Sequence, residues 1–177
     1  MGPREVEPDI RFNFYRAKPG TVQHHAEGLV VGNITGIHIP AGGTQTLTAE
    51  WAAPLALNVI ELATHQHRLG THATIEIVAP DGGSREQVYE NSDWEHPLPY
   101  WPTQPIRLAK GQKIRITCTW QNTDDHEVHF GPKTTDEMCF IIGFYYRDSG
   151  DTEPVVAPGC TPARQGLLCP VARVVSE

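Results

Sequence analysis

The sequence lacks the features that mark membrane-spanning, nucleic-acid-binding and helical proteins. No apolar run approaches the roughly 20 residues that a transmembrane helix needs. Lysine and arginine number 14 against 21 aspartates and glutamates, and the formal net charge is −7. That balance provides no basic surface for nucleic acid or an anionic membrane. No segment combines helical apolar spacing with helix caps, and we find no internal repeat. The sequence therefore predicts a protein with no membrane span and no nucleic-acid partner.

Cysteine and methionine are both scarce, with four and two residues in the chain. The spacing of the cysteines matches no zinc ribbon and no Cys-x-x-Cys redox motif. An even number of cysteines in a turn-rich chain indicates two disulfides and an oxidising compartment. Four reduced, buried thiols in a cytosolic protein are the alternative. Three pairings are possible, and the spacing alone selects none of them. The cysteines are Cys118, Cys139, Cys160 and Cys169.

Turn-forming residues, in contrast, are abundant, with 16 glycines and 15 prolines in 177 residues. This length suits one domain with a sizeable core. Between the turns lie short apolar or alternating runs typical of strands, and the nearly continuous run at 138–146 predicts a strand buried on both faces. Together the runs predict an all-β, antiparallel β-sandwich of jelly-roll-like form. The predicted strands are 10–16, 29–31, 34–39, 44–51, 55–67, 74–78, 106–108, 113–120 and 138–146.

The two histidines at positions 65 and 67 form the first motif that carries chemistry. Alternate residues of a strand point to the same face, so His65 and His67 are predicted to continue an apolar row with Leu57, Val59 and Ala63. Two imidazoles at this spacing can bind one metal ion, as they do in zinc and copper sites. A chance pair of histidines in a β-protein is the alternative.

Met138, at the start of the last predicted strand, identifies the metal. A thioether is a soft, neutral ligand that suits Cu(I) and contributes little to zinc, iron or magnesium sites. A set of two histidines and one methionine leaves a coordination position open for dioxygen. Ordinary core packing is the alternative role for Met138.

These segments together resemble a known family. Thr64–Gly70, the segment from His129 to Cys139 that contains Asp-Glu-Met-Cys, and Tyr145-Tyr146 are similar to the C-terminal catalytic domain of the copper type II, ascorbate-dependent monooxygenases. That family includes peptidylglycine α-hydroxylating monooxygenase and dopamine β-monooxygenase. The resemblance runs from about Gly32 through Tyr146 and includes the turn Ile39-Pro40-Ala41-Gly42.

The resemblance implies one copper ion held by His65, His67 and Met138, which binds dioxygen and hydroxylates an aliphatic C–H bond. It implies ascorbate or another reductant as electron donor, and a small-molecule or peptide substrate. The three-histidine copper domain of the family has no counterpart in this sequence, so a partner domain carrying a second copper is one expected partner. His129, nine residues before the methionine, matches a family histidine that we interpret as supporting the ligands by hydrogen bonding or as a labile ligand.

The resemblance also implies a Cys118–Cys139 disulfide, which leaves Cys160 and Cys169 to pair by elimination. We expect residues 1–8 to form a terminal segment, residues 9–150 the copper-binding sandwich, and residues 151–177 an extension with the Cys160–Cys169 loop. No signal peptide is visible at the N-terminus. Two disulfides nevertheless predict an extracellular or periplasmic protein.

The sequence departs from the family at three positions that bind substrate in its peptide-hydroxylating members. Those enzymes have an arginine two residues before the first histidine, where this chain has Ala63. Their asparagine and tyrosine after the methionine are replaced by Phe140 and Ile142. None of these three side chains can bind a peptide carboxylate, so a peptidylglycine substrate is not expected.

Three functions follow as hypotheses. The favoured one is a mononuclear copper domain that activates dioxygen for C–H hydroxylation with an external reductant, which would make the protein an enzyme. The second is a non-catalytic copper-binding or carrier module, or one domain of a larger two-domain monooxygenase. The third is a β-sandwich interaction domain whose histidines bind no metal.

Overall fold

The structure is a computed structural model that describes residues 11–148, 161–163 and 166–168. These residues form twelve strands, and no helix among them has the length and apolar character to cross a membrane. The strands are β1 (Glu27–Asn33), β2 (His38–Ile39), β3 (Thr44–Ala52), β4 (Leu57–His65), β5 (Gly70–Val78), β6 (Arg85–Asn91), β7 (Ile106–Leu108), β8 (Lys113–Gln121), β9 (Val128–His129), β10 (Cys139–Tyr146), β11 (Thr161–Ala163) and β12 (Gly166–Leu168).

Eight of the strands form two four-stranded antiparallel sheets. The first sheet has the order β1-β10-β4-β7 and the second has the order β3-β8-β5-β6. When these eight strands are lettered B to I along the chain, the sheets read BIDG and CHEF, which are the strand orders of a jelly roll. The short ribbons β2–β9 and β11–β12 account for the remaining strands. The predicted antiparallel β-sandwich is confirmed.

The core lies between the inner faces of the two sheets. Apolar side chains alternate along each strand, so every second residue enters this layer. Removing one large aliphatic side chain from water contributes roughly 1.5–3 kcal/mol, and Trp120 adds the largest fully buried side chain. Fully buried members of the layer include Leu57, Val59, Leu62 and Ile141 from the first sheet and Ile75, Ile114 and Ile116 from the second.

At the edges of the fold, one predicted strand is wrong and one observed strand was not predicted. Residues 11–16 of the predicted first strand form no strand. Phe12 and Phe14 are 76% and 92% exposed, because no strand in the described part of the chain covers their apolar side. The sequence also gave no sign of β6, since this edge strand is mostly polar and exposed. At both of these segments, alternation of apolar residues was therefore a poor predictor of strands, because neither segment has a buried face.

A β-bulge in β4 changes which of its residues face the core. Glu61 pairs with Phe144 on β10, but the next pair is Val59 with Tyr145, and Ile60 is left without a partner. An extra residue of this kind reverses the inward and outward alternation beyond it.

The predicted apolar row that continued through His65 is therefore wrong. Leu57 lies before the bulge and faces the core, and after the bulge it is Leu62 that faces the core. Ala63 and His65 point to the opposite side, which we call the outer face: the side of the first sheet turned away from the second sheet. The bulge thus places the half-buried side chain of His65 on the outer face and not in the core.

The prediction that β10 is buried on both sides is also wrong. Its inward residues Cys139 and Ile141 are buried, but Ile142 and Phe144 on the outer face are 44% and 45% exposed. The strand lies between β1 and β4 in the middle of its sheet, which explains its β-forming sequence. Its outer face has no second layer over it among the described residues.

One disulfide joins the two sheets next to Met138. Cys118 lies on β8 of the second sheet and Cys139 begins β10 of the first, with 6.0 Å between their Cα atoms. The pairing that the resemblance implied is confirmed. Cys160 and Cys169, and most of the expected extension 151–177, lie outside the described residues.

We expect the double substitution Cys118→Ala and Cys139→Ala to lower the free energy of unfolding by about 2–4 kcal/mol, because the disulfide closes a loop in the unfolded chain. Equilibrium urea unfolding measures this change. Thr119→Ala on the same strand is the control, since it removes only an exposed hydroxyl contact with Thr46 and should cost less than about 1 kcal/mol. An unchanged midpoint in the double variant would contradict the assigned role.

Candidate metal centre

His65 and His67 lie side by side where β4 ends. His65 is the last residue of the strand, and His67 lies in the following turn, so the prediction of both histidines on one strand holds for His65 alone. Their ring centroids are nevertheless 5.1 Å apart with an interplanar angle of 84°. His65 is half-buried and His67 is 8% exposed. The two imidazoles are therefore close enough to share one ion.

Met138 lies directly before β10 and directly after the two residues that contact His67. His65 pairs with Phe140, two residues after Met138. His67 contacts the Asp136 carbonyl oxygen through its ring and the Glu137 carboxylate through its backbone N–H. Residues 138 and 140 share the parity of the outer face, so the thioether belongs to the same side of the sheet as His65. Antiparallel pairing thus brings together residues that are far apart in sequence.

Glu137 fixes this arrangement from the inner side. Its side chain is fully buried, and its carboxylate accepts hydrogen bonds from the backbone N–H groups of His67 (2.9 Å) and Leu69 (2.7 Å). The indole N–H of Trp120 donates to it at 2.8 Å, and the Met138 N–H donates at 3.3 Å. Hydrogen bonds to a buried charge are roughly twice as strong as neutral ones. One carboxylate therefore ties the histidine turn, the methionine and the second sheet together.

The turn after β4 is tight, and Gly70 makes it possible. The Gly70 N–H donates to the His67 carbonyl oxygen at 2.9 Å, and a Cβ at Gly70 would lie 2.7 Å from the Cβ of Gln66. The buried Gln66 side chain donates to the Thr119 carbonyl oxygen at 3.1 Å. A larger residue at position 70 would displace Gln66 and, with it, His67.

The hydrogen bond of the His67 ring determines its tautomer. Nδ1 lies 2.9 Å from the backbone carbonyl oxygen of Asp136. Because a carbonyl oxygen only accepts, Nδ1 carries a proton in this contact, which leaves Nε2 as the nitrogen that can bind a metal. Carbonyl groups orient metal-binding histidines in this way in known sites.

The surroundings of His65 favour the neutral imidazole that a metal requires. Burial lowers the pKa of its imidazole, and the nearby His67 lowers it further. A metal ligand must be unprotonated, so both effects reduce the competition between protons and a metal ion near neutral pH.

These residues fit copper. Two neutral imidazoles and one thioether are the donors that stabilise Cu(I), and the half-buried positions of His65 and Met138 leave the outer side accessible. The set holds no carboxylate ligand, which a hard ion such as magnesium would need.

His129 is connected to the centre through its backbone. Its carbonyl oxygen accepts the Glu137 N–H at 2.9 Å. Its ring is more than half exposed and contacts His38 and Glu127. The backbone of His129 therefore agrees with its interpretation as a hydrogen-bonding support. Its imidazole contacts His38 and Glu127 instead of the predicted copper ligands.

The role of Glu137 was missed from the sequence, although a signal was present. Glu137 shares the inward parity of Cys139 and Ile141 along β10. A carboxylate at such a position must be paired, since an isolated buried charge is very costly. Its donors could not be identified in advance because they come from three separate segments.

Comparison with known proteins gives a family model that matches most of the chain. The family model described as copper type II ascorbate-dependent monooxygenase, C-terminal domain, matches residues 33–163. Among solved structures, the chain is similar to one in the structure of infectious bursal disease virus Gt strain, with 18% identity and a TM-score of 0.31. That match covers 76% of this chain and 37% of the viral chain.

We expect Glu137→Gln to lower the free energy of unfolding by about 2–4 kcal/mol, because an amide presents a donor to N–H groups that already need an acceptor. Affinity for Cu(I) should fall by about 10–100-fold as the ligands lose their orientation. Urea unfolding and competition with a chromogenic Cu(I) chelator measure the two effects.

Asp136→Asn is the matched control, because the Asp136 carboxylate accepts a hydrogen bond from the Lys133 N–H in an exposed turn. This variant should stay within about 1 kcal/mol of the parent protein. Parent-like stability and Cu(I) affinity in Glu137→Gln would show that the carboxylate does not organise the centre.

Proposed function

The chain belongs to the copper type II ascorbate-dependent monooxygenase family, matching its C-terminal domain over residues 33–163, and from this premise we propose that it binds one copper ion and hydroxylates a C–H bond. The observation that supports the proposal is that the ring centroids of His65 and His67 lie 5.1 Å apart, while His67 contacts Asp136 and Glu137, the two residues directly before Met138. His65, His67 and Met138 would hold the ion.

Copper bound there supplies dioxygen activation and one-electron transfer. The surrounding residues orient the ligands: the Asp136 carbonyl oxygen holds the His67 ring, and Glu137 holds the turn that carries it. Inserting one oxygen atom of O₂ into a C–H bond reduces the other atom to water, with two electrons and two protons. Ascorbate, oxidised to dehydroascorbate, balances this reaction directly or through a partner domain with a second copper.

The outer face beside His65 supports an apolar substrate. Ala63 pairs with Ile142 directly next to the His65–Phe140 pair, and Phe144 continues the surface along β10. Ala63, Phe140 and Ile142 occupy the positions where the resemblance implies that peptide-hydroxylating relatives bind the substrate carboxylate. Their side chains here offer apolar area and no cation. We assign the substrate to neutral or cationic molecules with an apolar body and no carboxylate anchor.

Glu61 adds a reason to exclude anions. It lies on the same face, paired with Phe144, and one of its carboxylate oxygens is buried without a hydrogen-bond partner in the protein. A second carboxylate placed near it would add repulsion to an existing desolvation cost.

A copper-binding module without turnover is the second candidate. The observation in its favour is that Ala63, Phe140 and Ile142 have none of the polar groups that anchor a substrate in peptide-hydroxylating relatives. For both candidates the disulfide supports an oxidising, extracellular or periplasmic setting.

We expect the copper-loaded protein to consume oxygen with ascorbate faster than the same concentration of free copper. Met138→Ala should lower this rate by about 10-fold or more while the urea midpoint stays near that of the parent protein, because Met138 is only half-buried. An oxygen electrode measures the rate. His96→Ala, which removes an exposed loop histidine beside Asp93, should leave the rate unchanged.

A parent protein that is no faster than free copper would contradict the proposed reaction. Tight Cu(I) binding in that case would favour the carrier, and absence of Cu(I) binding would leave only an interaction domain.

We expect Ala63→Arg to shift substrate preference towards carboxylates. Three compounds with the same aromatic frame and a neutral, amine or acid terminus would be compared by product formation. The parent protein should use the acid least. The arginine should raise use of the acid relative to the neutral compound by about 10-fold, which is the effect of one charge-assisted hydrogen bond. Ala63→Gln controls for side-chain size, and a parent preference for the acid would contradict the assignment.

A further inference from the structure

Three ligand-type side chains cluster on the ribbon β2–β9, away from the copper ligands. His38 on β2 pairs directly with His129 on β9, and Glu127 lies two residues before His129. The side chains of His38, Glu127 and His129 are 60%, 50% and 55% exposed. One ligand atom from each residue lies within 4.8 Å of those from the other two.

The geometry points to a second metal site, for a divalent ion of the zinc class, formed by His38, Glu127 and His129. This site does not depend on the proposed monooxygenase chemistry. It differs from the copper centre in its donors, since a carboxylate replaces the thioether. Two imidazoles and one carboxylate are a ligand set of catalytic zinc sites, and they also suit Cu²⁺ and Ni²⁺.

The distances between the donor atoms support this assignment. The Nδ1 atoms of His38 and His129 are 3.1 Å apart. The Glu127 Oε1 atom lies 3.5 Å from His38 Nδ1 and 3.5 Å from His129 Nε2. Ligands about 2.0–2.1 Å from a tetrahedral ion are separated by about 3.4 Å. These contacts use both ring nitrogens of His129, whereas an ion would take one of them, so the exposed ring would have to adjust when an ion binds.

The backbone that presents these side chains is already fixed. Between the three ligands, Ile39 and Val128 point inward and are almost fully buried. The buried Asn122 side chain donates to the carbonyl oxygens of Ile39 (3.1 Å) and His126 (2.8 Å), which joins β2 to the segment before β9. Little ordering of the chain is therefore required when an ion binds, which favours binding.

The ribbon is also connected to the copper centre. The His129 carbonyl oxygen accepts the Glu137 N–H, and Phe130 forms an isolated parallel bridge with Glu137. A metal ion that links β2 to β9 therefore restrains the segment that leads to Met138.

The test is zinc titration of the full chain by isothermal calorimetry, with inductively coupled plasma analysis of the dialysed protein. We expect the parent protein to bind Zn²⁺ at this site and His38→Ala, His129→Ala and Glu127→Gln to weaken that binding by about 100-fold or more. His65→Ala removes a copper ligand alone and should leave the ribbon site intact, so failure of the copper proposal and failure of this one are distinguishable. His96→Ala controls for loss of an exposed histidine.

Cobalt gives a second readout that weak surface binding does not reproduce. Co²⁺ in the ribbon site of the His65→Ala variant should show the intense visible absorption of a four-coordinate ion, and the additional change His38→Ala should abolish it. The ribbon variants without metal should keep the parent urea midpoint, since the altered side chains are exposed. Equal Zn²⁺ affinity in the parent and ribbon variants would overturn the proposal, as would unchanged Co²⁺ absorption.

Discussion

The structure of the candidate metal centre depends on one buried carboxylate. Glu137 receives four N–H groups, from the turn that carries His67, from Met138 and from the indole of Trp120 in the opposite sheet. Such a group is stable in the interior only while its hydrogen bonds are complete. The dependence is mutual: the four N–H donors stabilise the buried carboxylate, and the carboxylate holds those donors in place.

Three other features place the ligands around that carboxylate. The bulge at Ile60 turns His65 to the outer face, and antiparallel pairing sets Phe140 beside it. The Cys118–Cys139 disulfide fixes the residue after Met138 to the second sheet. The inner side of the centre is therefore buried and hydrogen-bonded, while the outer side is partly exposed and mostly apolar, with the Glu61 carboxylate beside Phe144. That division suits a site that must hold a metal ion in place and still admit a substrate.

Much of this could be predicted from the sequence. The Cys118–Cys139 pair and the sandwich followed from the resemblance and from strand alternation, while the copper ligands stay a prediction. The face of His65 could not be predicted, because a bulge leaves no mark in the apolar pattern of residues 55–67. The pairing of His38 with His129 also depends on a two-residue ribbon, which is too short for periodicity to reveal. The burial of Glu137 could have been predicted, because it shares the inward parity of Cys139 and Ile141. The hydrogen-bond donors to its carboxylate could not, because they depend on tertiary contacts.

The central claim is that His65, His67 and Met138 hold one ion together. X-ray absorption at the copper edge tests it most directly, using Cu(I)-loaded protein with the ribbon histidine His38 replaced by alanine to remove the second site. We expect the spectrum to require two imidazole nitrogens and one sulfur scatterer, and the sulfur contribution to disappear in the added Met138→Ala variant. A spectrum fitted by nitrogen and oxygen alone, or a sulfur contribution that survives the loss of Met138, would contradict the account.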